Sequence, residues 1–97
     1  MSPVAASLSD QHSPVAYFLV RAHAEPGVMP RVLELFAKRG LVPSLWLARV
    51  ARENELTIEA EMPGLPRDTM DYLAASMRQI ASVAVVLACE RRNLGTS

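Results

Sequence analysis

The chain has 97 residues, of which ten are basic and ten are acidic, so its formal net charge is zero. A chain of this length fits a single domain. A zero net charge argues against nucleic acid or an anionic membrane surface as a partner. The longest apolar run, Val83 to Cys89, is far shorter than the roughly 20 residues of a membrane helix, and Met1 to Asp10 lacks the pattern of a signal peptide. We therefore expect a cytoplasmic protein.

Cys89 is the single cysteine of the chain, which excludes an internal disulfide and a multi-cysteine metal site. Its apolar neighbours Leu87 and Ala88 predict a buried, inert thiol. We predict no bound metal and no cofactor.

The two ends of the chain differ in composition from its middle. Residues 1–14 are rich in Ser, Ala and Pro and predict a flexible tail, and residues 92–97 predict a polar C-terminal tail. The domain is then expected over residues 15–91. Its first strand is predicted from Val15 to His23, where one alternating face has Phe18, Val20 and Ala22 and the other has Tyr17, Leu19, Arg21 and His23.

A helix is predicted to follow the turn Glu25-Pro26-Gly27. Its apolar stripe consists of Val28, Met29, Val32, Leu33, Phe36 and Leu41. Pro30 is tolerated in the first turn, because the amide hydrogen that it lacks would have no partner inside the helix. Gly40 is the expected end of the helix.

Two strands, Ser44 to Ala51 and Leu56 to Met62, alternate around the polar turn at residues 52–55 and predict a hairpin. After the break from Pro63 to Pro66, a second helix is expected to start near Asp68. Its stripe is Met70, Leu73, Ala74, Met77, Ile80 and Ala81. A last strand is predicted from Val83 to Glu90.

The resulting order, β-α-β-β-α-β, predicts an α+β fold of the ferredoxin-like class. In this fold two helices cover one face of a four-stranded antiparallel sheet. Because this fold carries many unrelated functions, the functional site has to be argued separately.

Three functions common on such folds find little support in the residues. An RNA-binding sheet needs stacking aromatics on its first and third strands, and the third predicted strand has none. A metal chaperone would place two cysteines after the first strand, where the sequence has His23 to Val28. Glu59 and Glu61 alternate on one strand face, a pattern more typical of a solvated surface than of an acid/base pair, so we predict no catalytic residues.

The segment EPGVMPRVLELFAKRGL, residues 25–41, resembles the ACT domain family of small regulatory modules. The Pro-Gly turn, the pairs Arg31-Val32 and Leu35-Phe36, and the exit Arg39-Gly40 carry the resemblance, which extends over about Tyr17 to Arg91. Within the family the chain is most similar to the short regulatory subunit of acetohydroxyacid synthase (acetolactate synthase), an enzyme of branched-chain amino-acid biosynthesis.

The resemblance implies a side-by-side homodimer, a small amino-acid effector and a thiamine-diphosphate-dependent synthase subunit as the catalytic partner. The backbone amides of the helix N-terminus would then bind the effector carboxylate. Two asparagines that valine-regulated subunits carry are replaced by Ala24 and Val42, so valine feedback is not expected. The candidate ligand-binding residues are His23, Ala24, Glu25, Gly27, Val28, Met29 and Val42.

Three hypotheses remain open at this point. The chain is a regulatory subunit that dimerises and binds a larger synthase, a stand-alone ACT module that senses a small carboxylate, or a small enzyme on the same fold. The apolar residues on the outer faces of the first two strands (Tyr17, Leu19, and Trp46 or Leu45) favour self-association. Alternation alone does not show which strand face meets the helices.

Overall fold

A computed structural model describes residues 14–92. Four strands and two helices follow the predicted order. They are β1 (Pro14–His23), α1 (Val28–Ala37), β2 (Leu45–Ala51), β3 (Glu55–Pro63), α2 (Arg67–Arg78) and β4 (Val83–Arg92), with a 3₁₀ turn at Arg52–Asn54 between β2 and β3.

The four strands form one antiparallel sheet in the order β2-β3-β1-β4. The hairpin of β2 and β3 is confirmed, with Leu45 paired to Glu61 and Ala51 paired to Glu55. The ferredoxin-like prediction is therefore correct. Each of the two connections that carry a helix crosses one neighbouring strand and leads to an edge strand, so β2 and β4 lie at the two edges of the sheet.

The core lies between one face of the sheet and the two helices. The side chains of β1 alternate in burial, with Ala16, Phe18, Val20 and Ala22 buried against the helices. Phe18 contacts Phe36 of α1 edge to face, with the ring centroids 5.6 Å apart. Such a pair adds to the free energy of burial of each ring. No polar side chain is buried among residues 14–92, so the core depends on apolar packing.

Helix α1 buries Val28, Val32 and Phe36, which are spaced by four residues. The prediction that Leu33 belongs to this stripe is wrong, because its side chain is 39% exposed. At about 100° per residue, Leu33 points far from the centre of a stripe with that spacing, whereas Leu35 lies closer to it and packs against the core.

Helix α1 ends at Ala37, and the turn that follows it is closed at Gly40, the predicted stop. Gly40 has a φ of +69°, the left-handed conformation that glycine adopts without steric cost. The amide of Leu41 then donates to the carbonyl oxygen of Phe36 at 2.9 Å. This bond satisfies a carbonyl that the helix end leaves free.

Helix α2 buries Met70, Leu73, Ala74 and Met77, and Ile80 packs against the same core. The prediction that Ala81 extends this stripe is wrong, because α2 ends at Arg78 and Ala81 is exposed in the following turn. Helical spacing no longer applies there. No helix among the described residues is long and apolar enough to span a membrane.

Strand β4 differs from its prediction at Cys89, which is exposed rather than buried. Cys89 pairs with Tyr17 on the face of the sheet that the helices do not cover. Arg91 and Arg92 extend β4 beyond the predicted strand end. The N-terminal tail before Pro14 and the tail after Arg92 lie outside the described residues.

Candidate functional site

The turn between β1 and α1 brings acidic, basic and hydroxyl side chains into one depression. Seven residues line it, and its volume is about 290 Å³: Glu25, Pro26, Gly27, Val28, Arg31, Ile80 and Ser82. Helix α1 supplies Arg31, and the connection from α2 to β4 supplies Ile80 and Ser82. The volume lies at the small end of ligand sites.

Backbone hydrogen bonds hold this turn in place. The amide of His23 donates to Ser82 O at 3.0 Å, and the amide of Ala24 donates to Asn54 O at 2.8 Å. The turn is thereby tied to the two loops beside it. The hydroxyl of Ser82 donates to a carboxylate oxygen of Glu25, which fixes the acid at the rim of the depression.

The helix N-terminus offers fewer free amides than the sequence suggested. The amide of Val28 donates to Glu25 O at 3.1 Å, and Pro30 has no amide hydrogen. Met29 N–H has no backbone acceptor among residues 14–92. Because Met29 does not line the depression, a ligand carboxylate there would rely on the guanidinium of Arg31.

Gly27 is not required by the backbone or by the packing of the chain. Its φ of −83° is open to every residue. A Cβ atom placed there would meet only the flexible Arg31 side chain, at 3.9 Å from Nε. The missing side chain therefore leaves space that the described residues do not use.

The structure brings together three of the predicted site residues and separates the others. Glu25, Gly27 and Val28 line the depression. Ala24 and Met29 pack against the core, and His23 lies in a second depression with Arg52 and Glu55.

Val42 is highly exposed and lies at the opposite end of the sheet. Ser44, two residues later, donates its amide to Glu61 O, and Glu61 pairs with Tyr17 rather than with the His23 end of β1. Within one chain, Val42 cannot contact a ligand at the turn. Ligand binding by the seven candidate residues named from the sequence remains a prediction.

Sequence reasoning missed Arg31, Ile80 and Ser82. Arg31 could have been found, because it follows Gly27 by four residues and so lies above it on the same helix face. Ser82 is 57 positions from Glu25 and carries no local signal that would place it there.

A second polar cluster lies on the sheet face away from the helices. The hydroxyl of Tyr17 donates to Glu59 at 3.1 Å, and Arg91 forms an ion pair with Glu61 at 2.7 Å. The Arg91 guanidinium stacks over the Tyr17 ring at 3.8 Å from the centroid. Glu59 and Glu61 are thus engaged with neighbouring side chains rather than with each other.

Burial raises the pKa of Tyr17 above its ordinary value of 10.0, and the hydrogen bond to Glu59 raises it further. The folded state therefore retains the phenolic proton at pH values where the unfolded chain loses it. The stabilisation is fully present below pH 10.0 and is lost as the pH rises through the folded-state pKa.

We expect the stability difference between wild type and Tyr17→Phe to shrink above about pH 10. Urea unfolding of both proteins at several values from neutral to strongly alkaline pH measures this difference. A difference that stays constant over that range would contradict the assignment.

The comparisons with known proteins agree with this architecture. A family model described as an ACT-like domain matches residues 9–93. The chain therefore belongs to the ACT-like domain family. No curated protein sequence matches it.

Three solved structures resemble the fold at low sequence identity. The ACT domain of the GTP pyrophosphokinase of Chlorobium tepidum superposes with a TM-score of 0.68 at 13% identity, over 79% of this chain and 99% of that one. The C-terminal domain of the MgtC protein of Mycobacterium tuberculosis gives 0.69 at 14%, over 91% and 98%. An uncharacterized protein of Thermotoga maritima gives 0.66 at 19%, over 78% and 94%. At these identities the likeness is one of fold.

Proposed function

We propose that this chain is a non-catalytic, cytoplasmic regulatory module that binds a small amino acid or a related carboxylate at the turn between β1 and α1. The observation that carries the proposal is Gly27. A glycine costs stability because it has more freedom in the unfolded chain. No contact or backbone angle of the described residues requires one at this position.

The charges around the depression suit a ligand with both a carboxylate and an ammonium group. Arg31 and Glu25 both line the depression. A carboxylate would pair with Arg31, and an ammonium group would pair with Glu25. Ile80 and Pro26 provide apolar contacts for a short side chain. Glu25 thus supplies an acceptor that Ala24 and Val42 cannot provide.

In its finer form, the proposal is that the module dimerises side by side and regulates the catalytic subunit of acetolactate synthase. The support for this partner is the resemblance of residues 25–41 to the regulatory subunit of that enzyme.

The support for the dimer is the difference between the two edges of the sheet. On β4, Arg78 donates to Val86 O at 2.9 Å and occupies a carbonyl of that edge strand, whereas β2 has no such side-chain partner among the described residues. A free edge is open to a further strand.

The second candidate is a stand-alone ACT module without that synthase. The same depression favours it, because effector binding needs no catalytic subunit. Co-purification with the synthase catalytic subunit separates the two, since the stand-alone module would neither bind that subunit nor raise its activity.

Gly27→Ala tests the effector site. We expect the stability of the variant to stay within about 1 kcal/mol of wild type, because the smaller entropy of the unfolded chain opposes the preference for glycine over alanine at an N-cap. Its added methyl group should nevertheless weaken ligand binding. Titration calorimetry and the melting temperature with millimolar branched-chain and other small amino acids measure both effects.

A matched pair of arginine variants controls this experiment. Arg31→Gln should weaken binding, whereas Arg67→Gln, at the start of the other helix, should not. The effector proposal fails if no ligand raises the melting temperature of wild type, or if Gly27→Ala binds as well as wild type does.

A further inference from the structure

Two arginines and a threonine form a row across three neighbouring strands, on the sheet face away from the helices. Arg21 on β1 and Arg49 on β2 both pair directly with Thr57 of β3, so the three side chains project on the same side. We call them the arginine row. We propose that the arginine row binds the phosphate group of a small phosphate monoester. This site is separate from the turn between β1 and α1, and it does not depend on the proposed function.

The spacing of the strands allows both guanidinium groups to reach one anion. Neighbouring strands lie about 4.8 Å apart, so the Cα atoms of Arg21 and Arg49 are about 10 Å apart, with Thr57 between them. An anion above Thr57 would have a guanidinium group on each side and a hydroxyl group below. A depression of about 310 Å³ lies at this place, and all three residues line it. Guanidinium groups pair with phosphate oxygens through two parallel hydrogen bonds, which favours this anion.

The charges of the depression favour a dianion. Arg21 and Arg49 are exposed and take part in no ion pair among residues 14–92. One acid, Glu59, also lines the depression, and its carboxylate accepts the hydroxyl of Tyr17 at 3.1 Å. Two positive charges and one negative charge give this place a net positive charge, although the whole chain has none. A phosphate monoester carries a charge of about −1.5 to −2 at neutral pH.

An apolar side chain beside the arginine row provides a contact for the organic part of the ligand. Leu47 lines the same depression and is 51% exposed. It precedes Arg49 by two residues on β2 and therefore lies on the same face of the sheet. A ligand with its phosphate between the two arginines would place an adjoining apolar group against Leu47. This contact favours a phosphate monoester over inorganic phosphate.

Phenyl phosphate is a direct probe of the site, because it joins a dianionic phosphate to one apolar ring. At millimolar concentration and low ionic strength, we expect it to shift the amide NMR signals of the arginine row. Phenyl sulfate has a similar shape but a single charge and should bind several-fold more weakly. Inorganic phosphate, which lacks the ring, should also bind more weakly. The proposal is overturned if no signal moves, if the signals of Gly27 and Arg31 move instead, or if the two phenyl esters bind equally.

Arg21→Gln and Arg49→Gln should each weaken the binding of phenyl phosphate by about tenfold, because each removes a charge-assisted pair. Both positions are exposed, so the variants should fold, and circular dichroism checks this. Arg31→Gln is the matched control, since it removes the same charge from the depression at the turn. It should bind as wild type does. Unchanged binding by Arg49→Gln, or an equal loss in all three variants, would contradict the assignment.

Glu59→Gln is expected to change binding in the opposite direction. Removing the carboxylate raises the net positive charge of the depression, and the amide oxygen of glutamine can still accept the Tyr17 hydroxyl. We expect phenyl phosphate to bind several-fold more tightly, a result that a misfolded variant could not give. Unchanged or weaker binding by Glu59→Gln would mean that the phosphate does not lie in this depression.

A phospholipid headgroup offers the same phosphate chemistry, and sedimentation with vesicles distinguishes it from a soluble ester. The chain is mixed with phosphatidylcholine vesicles, with and without phosphatidic acid. We expect it to remain in the supernatant in both cases, because a chain without net charge is not drawn to an anionic surface. Sedimentation with the vesicles that contain phosphatidic acid would overturn the assignment to a small soluble ligand.

Discussion

Phe18→Ala is expected to lower the free energy of unfolding by about 3–5 kcal/mol. Phe18 is fully buried on the interior strand β1 and contacts Phe36 edge to face. Its removal leaves a cavity that strands on both sides of β1 and the helix above it cannot easily close. For a domain with a typical stability of about 5–15 kcal/mol, this is a large share of the total. Urea unfolding at neutral pH measures the loss.

Phe18→Leu and Arg21→Ala complete this experiment. Leucine retains much of the buried volume and should cost less than alanine. Arg21 lies exposed on the face of the sheet that the helices do not cover, so Arg21→Ala should cost well under 1 kcal/mol. Equal losses for Phe18→Ala and Arg21→Ala would mean that the helices do not cover the Phe18 face of β1.

Val32→Asp is expected to unfold the domain or to cost at least 4 kcal/mol, whereas Leu33→Asp should cost about 1 kcal/mol or less. Val32 is 0% exposed, and the core around it has no buried polar side chain among the described residues. A carboxylate there would lose its water without gaining a partner. At Leu33 the carboxylate would remain hydrated.

Thermal and urea unfolding of the two variants, followed by circular dichroism, measure this contrast. The adjacent positions share helix, sequence context and charge, so only the rotation of α1 distinguishes them. If Leu33→Asp is as damaging as Val32→Asp, then either α1 is rotated toward Leu33 or this residue is covered by another molecule. The mass of the variant separates these two explanations.

Most of the fold followed from local patterns. Alternation in β1 and β3 and helical spacing in α1 and α2 predicted each element, because a surface half covered by protein requires apolar residues on one side. Gly40 closes the turn after α1, because glycine adopts the left-handed conformation without steric cost. The predictions for Leu33 and Ala81 were wrong because each apolar residue was added to a helix stripe whose other members are mostly buried.

The candidate site was predictable only in part. Its turn and the helix N-terminus are consecutive in sequence, and Gly27 marks them. Ser82 and Ile80 reach the same depression because the sheet places the start of β4 beside the end of β1. That adjacency is a property of strand order, which no short segment encodes. Val42 shows the converse, since it is close to α1 in sequence but lies far from the turn within one chain.

The sequence by itself determined the order of the elements, the apolar faces of the helices and the resemblance of residues 25–41 to the ACT domain family. These depend on spacing along one segment, where neighbours are fixed by covalent geometry. Only the tertiary structure decided which face of β1 is covered and why Cys89 is exposed. It also decided which side chains meet on the sheet face away from the helices, namely Tyr17, Glu59, Glu61 and Arg91. The physical reason is that a strand presents two faces, and their burial depends on which distant segments pair and pack with it.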